Sequence, residues 1–240
     1  MRQRAILLNH SYRIPGWMPG ILVFILAVFL SCSGTLSGES LPWKESFAAA
    51  PGAPWTWIRE NPAAHRQGQD GLEIRLEPGG LMGGGKDAKN ILARPLPEPA
   101  TAVSVHLRFA PVEQYEQAGL ILYGDDDNYI KLVKEMVDGQ PWVVMAVEIQ
   151  AEIKFLNKLP LPETGDPSEV PVTLSLEVSP EGVKGVFKHG ASVEMAGNYP
   201  FPLDPRPRVG IFTQGGRENA ERWARFADFT IDKAYLKTAP

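Results

Sequence analysis

The chain has 240 residues, with 24 Lys and Arg against 28 Asp and Glu, which gives a net charge of −4. This length suits one sizeable domain behind a leader, and a mildly acidic chain without a basic stripe argues against nucleic acid as the main partner. The 23 Gly and 22 Pro are typical of many short strands and turns rather than of a helical protein.

The first 40 residues carry the pattern of an export signal. Three arginines precede an uninterrupted apolar run, ILVFILAVFL at residues 21–30, and small residues follow at 31–34. A basic start, a short apolar run and a small-residue exit are typical of a secretory signal peptide. A retained membrane anchor is the alternative, but the run is short for a membrane span. We predict a leader and linker over residues 1–40 and an exported protein, located in the periplasm, outside the cell or at the envelope.

Cys32 is the only cysteine, so an intrachain disulfide is excluded. It follows the apolar run directly, where a bacterial lipoprotein carries its acylated cysteine, although the preceding Phe-Leu-Ser matches that processing site only loosely. Two interpretations stay open: a chain anchored by lipid on Cys32 and a chain released after cleavage. We expect a membrane partner only through such a lipid or an uncleaved leader.

After residue 40 the apolar residues follow a period of two. In 103–109, four apolar residues alternate with Ser, His and Arg, and 72–76 and 172–178 alternate in the same way. Glycine-containing turns separate these segments from further strand candidates at 91–94, 119–123, 129–133, 142–149, 182–187, 208–213 and 223–231. The pattern predicts one all-β domain over 41–240, built as a two-sheet antiparallel β-sandwich or jelly roll, with a surface loop at 160–171.

Three consecutive acids, Asp125, Asp126 and Asp127, lie between two of these strands. Asp favours turns because its carboxylate bonds nearby backbone amides. A calcium loop is the alternative, but it needs oxygen ligands at alternating positions and a distal acid, which this segment lacks. We therefore predict a hairpin turn.

Several motifs resemble a known family. They are WTWIRE at 55–60, GLEIR at 71–75, QAGLILY at 117–123 with NYIKL at 128–132, and VGI at 209–211 with RFADFTI at 225–231. In this order they resemble a bacterial concanavalin A-like family related to the C-terminal β-sandwich of family 43 β-xylosidases, over residues 41–236. The resemblance implies a sandwich of the lectin and glucanase type with a concave sheet linked to carbohydrate. It leaves the activity open, because this fold serves both hydrolases and non-catalytic binders.

The same resemblance implies a structural calcium, which sandwiches of this class hold with an acid of the last strand. Asp228 is the candidate ligand in this sequence, and an outward-facing carboxylate without a metal is the alternative. We expect no other cofactor.

Sugar binding needs aromatic faces for the C–H side of the ring and polar groups for the hydroxyls. The predicted glycan-binding residues are Trp57, Arg59, Gln117, Tyr123, Lys131, Trp142, Gln214 and Trp223. In strand register, Tyr123 lies opposite Leu120 and Leu122, so it faces the outer sheet surface if the leucines enter the core. The alternative is that each tryptophan packs in the core or covers a sheet edge.

Hydrolysis needs two carboxyl groups at a defined separation. The sequence lacks the Glu-x-Asp-x-x-Glu string of sandwich hydrolases, and the candidate pairs are Glu113/Glu116 and Glu148/Glu152. We therefore predict an exported, non-catalytic carbohydrate-binding domain whose partner is a glycan or polysaccharide. An exported glycoside hydrolase of the same fold and a structural envelope lipoprotein without a small ligand are the alternatives.

Overall fold

A computed structural model describes residues 40–161, 171–200 and 207–233. The predicted leader, Cys32 and most of the predicted loop at 160–171 lie outside these residues. Within the described ranges, no helix is both long and apolar enough to span a membrane.

The described residues form fifteen strands and one turn of 3-10 helix, Pro62–Ala64. The strands are β1 (Trp43–Glu45), β2 (Thr56–Ile58), β3 (His65–Gly68), β4 (Gly71–Arg75), β5 (Ile91–Pro95), β6 (Ala102–Arg108), β7 (Gln117–Asp125), β8 (Asn128–Val137), β9 (Gln140–Ile149), β10 (Glu152–Pro160), β11 (Val172–Ser179), β12 (Gly182–His189), β13 (Ser192–Tyr199), β14 (Arg208–Gln214) and β15 (Trp223–Asp232). All ten predicted strands are present; β1, β2, β3, β10 and β13 were not predicted.

The strands make two antiparallel sheets. Sheet A has the order β13–β12–β11–β6–β15–β4–β3, with β1 also paired to β15, and sheet B has the order β10–β9–β8–β7–β14–β5–β2. The described part of the chain is therefore an all-β sandwich, which confirms the predicted fold class.

Period-two alternation places the sandwich core. Leu120 and Leu122 of β7 join Leu174 and Leu176 of β11 in one buried cluster between the sheets. Burying each such leucine stabilises the fold by roughly 1.5–3 kcal/mol before the entropy of ordering the chain is subtracted. Tyr123, which follows Leu122, points to the outer face of sheet B, as its position opposite the leucines predicts.

The outer face of sheet B is itself partly covered. Residues 79–88, here called the cover segment, lie over it and insert Leu81, which is completely buried with the outward-facing Ile121 and Phe212. The backbone N–H of Gly83 donates to Glu148 Oε2 at 2.9 Å, which holds the segment to β9. The free outer surface expected from the sequence is thus reduced, because its large apolar side chains need burial as much as the core does.

Candidate functional site

The turn between β7 and β8 is structural. Asp125 Oδ1 accepts the backbone N–H of Asp127 at 2.8 Å and the side-chain amide of Asn128 at 2.8 Å, an arrangement that favours a tight turn. Asp127 pairs with Lys86 of the cover segment at 2.6 Å. The predicted hairpin turn is confirmed, and two of its acids already have protein partners.

Asp126, the third acid, joins two of the predicted glycan-binding residues to each other. Both of its oxygens accept from the Arg59 guanidinium at 2.8 Å, and Oδ1 also accepts from the Tyr123 hydroxyl at 2.7 Å. Burial raises the pKa of Tyr123 to about 12, and its bond to Asp126 acts in the same direction. Arg59 also donates from Nε to the carbonyl of Ala88 at 2.6 Å, so this cluster fastens the end of the cover segment.

An open hollow lies on the part of sheet B that the cover segment leaves free. It has a volume of about 700 Å³ and contains three of the predicted glycan-binding residues, Gln117, Lys131 and Gln214. Its other lining residues are Gly79, Gly80, Met82, Tyr115, Glu135, Val137, Asp138, Val144, Leu156, Lys158 and Gly215. We call this space the outer-face hollow.

The sheet register brings the polar floor of the hollow together. Gln214 of β14 is directly opposite Gln117 of β7, and Gln117 is directly opposite Glu135 of β8. Lys131 lies on the same face of β8 as Glu135, because the two are an even number of residues apart. Side chains remote in sequence therefore meet on one surface.

A chain of hydrogen bonds runs through this floor. Lys131 Nζ donates to Gln117 Oε1 at 2.7 Å, and Gln117 Nε2 donates to Glu135 Oε1 at 3.0 Å and to the carbonyl of Tyr115 at 3.3 Å. Oε1 of Gln214 is buried and accepts no hydrogen bond from the described residues. A buried acceptor without a donor is unfavourable, so this floor is not fully satisfied by the protein itself.

The charges of the floor are perturbed by burial. Burial lowers the pKa of Lys131, against the attraction of Glu135 and Glu148. Burial raises the pKa of Glu135, against the attraction of Lys131 and Lys158. Both shifts arise because removal from water disfavours the charged form of each group.

The rim of the hollow is apolar and exposed. Six large apolar side chains of the described residues are exposed, and three of them, Met82, Tyr115 and Leu156, line this one space. Tyr115 is 58% exposed. Its φ of 66° lies in the left-handed region, which is rare for an aromatic residue and often marks a functional position.

The predicted tryptophans do not line the hollow. Trp57 stacks on His65, with ring centroids 4.2 Å apart, and packs against the sandwich core. Trp223 belongs to sheet A, and the Arg66 guanidinium lies 4.0 Å from its ring centroid. Trp142 of β9 is next to the hollow and lies opposite Glu135 of β8. Its Nε1 donates to the carbonyl of Val137, and Lys158 Nζ lies 4.7 Å from the centroid of its ring.

The first candidate carboxylate pair has structural partners. Glu116 is fully buried, pairs with Arg222 at 3.0 Å and accepts the backbone N–H of Val112 at 2.8 Å. Glu113 pairs with Arg217 at 2.7 Å.

The second pair is divided between buried and exposed positions. Glu148 accepts from Gly83 and from the Tyr129 hydroxyl, whereas Glu152 is exposed and pairs with Lys154. None of these four carboxylates lines the outer-face hollow.

Asp228 lies at a bulge in β15, with a φ of 49°. It borders a groove of about 440 Å³ on the outer face of sheet A, together with His106 and Arg225. Burial lowers the pKa of His106. Within the described ranges, no three His, Cys, Asp or Glu side chains come close enough together to hold a metal ion. Calcium at Asp228 stays a prediction.

Met82, Tyr115, Glu135, Leu156 and Lys158 are among the site residues that sequence reasoning missed. Glu135 could have been found by extending the alternation Tyr129, Lys131, Val133 by one step along β8. Leu156 and Lys158 lie on β10, whose mostly exposed residues give no clear alternation. Tyr115 lies outside any strand, and only the tertiary structure places it at the rim.

Comparison with known proteins assigns the family. The family model described as the β-xylosidase C-terminal concanavalin A-like domain matches residues 44–193, which is more than half of the chain. The chain belongs to this family. No curated protein matches it.

Solved structures show the same fold. The chain resembles Xyloglucan PUL GH43B from Bacteroides ovatus, with a TM-score of 0.67, 18% identity, and coverage of 80% of this chain and 39% of that one. A xylan β-1,4-xylosidase from Bacillus halodurans has a TM-score of 0.65 and 19% identity, with coverage of 81% and 40%. A functionally unknown protein from Saccharomyces cerevisiae has a TM-score of 0.56 and 15% identity, and the match covers 76% of this chain and 97% of that one. The chain therefore spans about two fifths of the first two proteins and matches nearly all of the third.

Proposed function

We propose that this domain is a non-catalytic carbohydrate-binding module and that the outer-face hollow is its binding site. The observation that carries the proposal is an exposed apolar rim around a buried polar floor. The rim, with Tyr115, Met82 and Leu156, offers surfaces for the C–H faces of sugar rings. The floor, with Lys131 and Gln214, offers donors and an unpaired acceptor for hydroxyl groups.

The chemistry of the floor suits a neutral polyol. Among the described residues Lys131 donates one hydrogen bond, to Gln117, whereas an ammonium can donate three. A sugar hydroxyl both donates and accepts, so it can accept from Lys131 while a neighbouring hydroxyl donates to Glu135 or Gln214. Two acids, Glu135 and Asp138, and two lysines, Lys131 and Lys158, line the hollow, so neither sign of charge is in excess and a neutral ligand fits it.

The non-catalytic part of the proposal is supported by the carboxylates. Glu135 and Asp138 are the acids that line the hollow, and the Glu113/Glu116 and Glu148/Glu152 pairs lie outside it. Glu135 is hydrogen-bonded to Gln117. Glycosidases need an acid and a second carboxylate on opposite sides of the scissile bond, whereas Glu135 and Asp138 both lie at the same end of β8. Two of the similar solved structures are named for xyloglucan and xylan, so these two polysaccharides are the first ligands to test.

Affinity electrophoresis of the whole chain through gels containing xylan, xyloglucan, arabinan or mixed-linkage glucan tests the proposal. We expect retardation in at least one gel, and Tyr115→Ala should abolish it while the melting temperature stays unchanged. Val112→Ala is the matched control, since Val112 is similarly exposed, at 57%, but does not line the hollow. Free migration in every gel, or retardation that survives Tyr115→Ala, would overturn the proposal.

We further propose that the protein is exported and that the glycan is met outside the cytoplasm. This rests on the basic and apolar leader pattern of residues 1–40. Fractionation of the native host with an antibody to the domain tests it. Recovery in the periplasm, medium or membrane fraction is expected, and recovery with cytoplasmic markers alone would contradict it.

A further inference from the structure

A row of paired residues crosses sheet B from the floor of the hollow to β10, the strand that carries Leu156 and Lys158. Gln214, Gln117, Glu135, Trp142 and Pro160 are successive partners on β14, β7, β8, β9 and β10. Residues directly opposite each other on neighbouring strands lie along a line perpendicular to the strands. Four strand spacings of about 4.8 Å make this row about 19 Å long.

The two ends of the hollow carry similar surfaces. Tyr115 lies beside the start of β7, and Leu156, which is 55% exposed, lies on the edge strand β10. From β7 to β10 there are three strand spacings, about 14 Å. One sugar ring is too small to contact both side chains at once, so a single monosaccharide would use only one end.

A polar group accompanies the apolar contact at each end. At the first end, Gln117 Nε2 donates to the carbonyl of Tyr115 at 3.3 Å, which ties the rim to the floor. At the second end, Lys158 is two residues from Leu156 on the same face of β10, and its Nζ lies 4.7 Å from the centroid of the Trp142 ring. Each end thus pairs an apolar face with a polar side chain, the combination that a sugar residue requires.

We propose that the ligand is a linear oligosaccharide segment that lies across the strands of sheet B, with one sugar residue at Tyr115 and another at Leu156 and Lys158. This inference rests on the proposed function and adds the ligand's form: an extended chain several residues long, not a terminal sugar. Val144 and Lys131, which line the hollow between the two ends, would lie under the middle of the chain. The β10 end is then a second subsite that contributes affinity only to ligands long enough to reach it.

Calorimetric titration of the whole chain with xylobiose and xylohexaose, and in parallel with cellobiose and cellohexaose, tests this. In the series that binds, we expect the hexaose to bind roughly tenfold or more tightly than the disaccharide. Leu156→Ser should remove most of this gain and leave the affinity for the disaccharide unchanged. Ile153→Ser is the control, because Ile153 is 49% exposed on the same strand and does not line the hollow.

The outcomes separate this inference from the proposed function. Equal affinity for disaccharide and hexaose, or a length gain that survives Leu156→Ser, overturns the extended-chain inference and leaves carbohydrate binding intact. If Ile153→Ser removes the affinity gain of the hexaose as fully as Leu156→Ser does, the extended-chain inference is also overturned. The gain would then depend on strand β10 as a whole and not on Leu156. If none of the four sugars binds and no polysaccharide gel retards the protein, the proposed function is overturned.

Discussion

Lys131 Nζ donates to the side-chain oxygen of Gln117 at 2.7 Å in a position where Lys131 is only 1% exposed. Among the described residues no carboxylate forms an ion pair with it; Glu135 and Glu148 act on it only through longer-range attraction. A buried ammonium with a neutral partner is an unfavourable arrangement for stability. Lys131 lies in the floor of the open hollow, which supports a role of its ammonium in ligand binding.

The lowered pKa of Lys131 predicts a pH dependence of stability. The charged form is disfavoured in the folded state, so the destabilisation is fully present below the folded pKa. It disappears as pH rises from the folded pKa towards the unfolded value of 10.5. Chemical denaturation across this window should show the wild type gaining free energy of unfolding relative to Lys131→Met. Parallel curves for the two proteins would contradict the assignment.

Gln214→Leu should separate binding from stability. The substitution removes a buried oxygen that accepts no hydrogen bond from the described residues, so stability should stay the same or rise slightly. Glycan affinity should fall, because the floor loses its unpaired acceptor. Thermal melting and titration of the same sample measure both effects. A clear drop in melting temperature would instead show that Gln214 holds the fold together.

Asp126→Asn should destabilise the fold by about 1–2 kcal/mol at neutral pH, because Arg59 and Tyr123 both donate to this carboxylate. Burial alone would raise the pKa of Asp126, but the hydrogen bonds from Arg59 and Tyr123 hold it below its usual value. The stabilisation is therefore present above the unfolded pKa of 3.8 and lost as pH falls through the folded pKa.

Urea unfolding at several pH values measures this effect. The difference between wild type and Asp126→Asn should shrink in acid. Asp70→Asn is the control, since Asp70 is 77% exposed and should change stability by less than about 0.5 kcal/mol. Equal losses for the two variants would be inconsistent with a structural role for Asp126.

Two neighbouring residues of the cover segment should behave in opposite ways. Leu81 is completely buried, so Leu81→Ala should cost about 2–5 kcal/mol of stability. Met82 is exposed at the rim of the hollow, so Met82→Ala should change stability by less than about 0.5 kcal/mol and weaken glycan binding. Denaturant unfolding and titration distinguish the two. A large stability loss in Met82→Ala would show that the rim is part of the packed fold.

The sandwich was predictable because its central strands have one face in the core. In β6 and β11, apolar and polar residues alternate along the sequence regularly enough to be recognised without any structure. The edge strands β10 and β13 were missed because much of their surface is exposed and their composition carries no period of two. Edge strands of this kind are defined by their neighbour's backbone groups more than by their own side chains.

The candidate site was only half predictable. Gln117 and Lys131 lie in the motifs that carry the family resemblance, and strand alternation gives the sheet face to which each side chain points. Gln214 is 97 positions from Gln117 in the chain, and only the pairing of β14 with β7 makes them neighbours. The outward direction of Tyr123 was correct, but its hydroxyl is bound to Asp126 rather than turned to a ligand. Sequence periodicity gives the face of a side chain, and long-range register decides which partners it meets there.

Methyl NMR of the whole chain with labelled methionines tests the central claim most directly. Met82 lines the outer-face hollow, Met145 is buried in the sandwich core, and Met195 is exposed on β13 outside the hollow. On titration with the oligosaccharide that binds best, we predict a saturable shift of the Met82 methyl signal with Met145 and Met195 nearly unchanged. Saturable binding that shifts Met195 and leaves Met82 in place would put the glycan elsewhere and contradict the account.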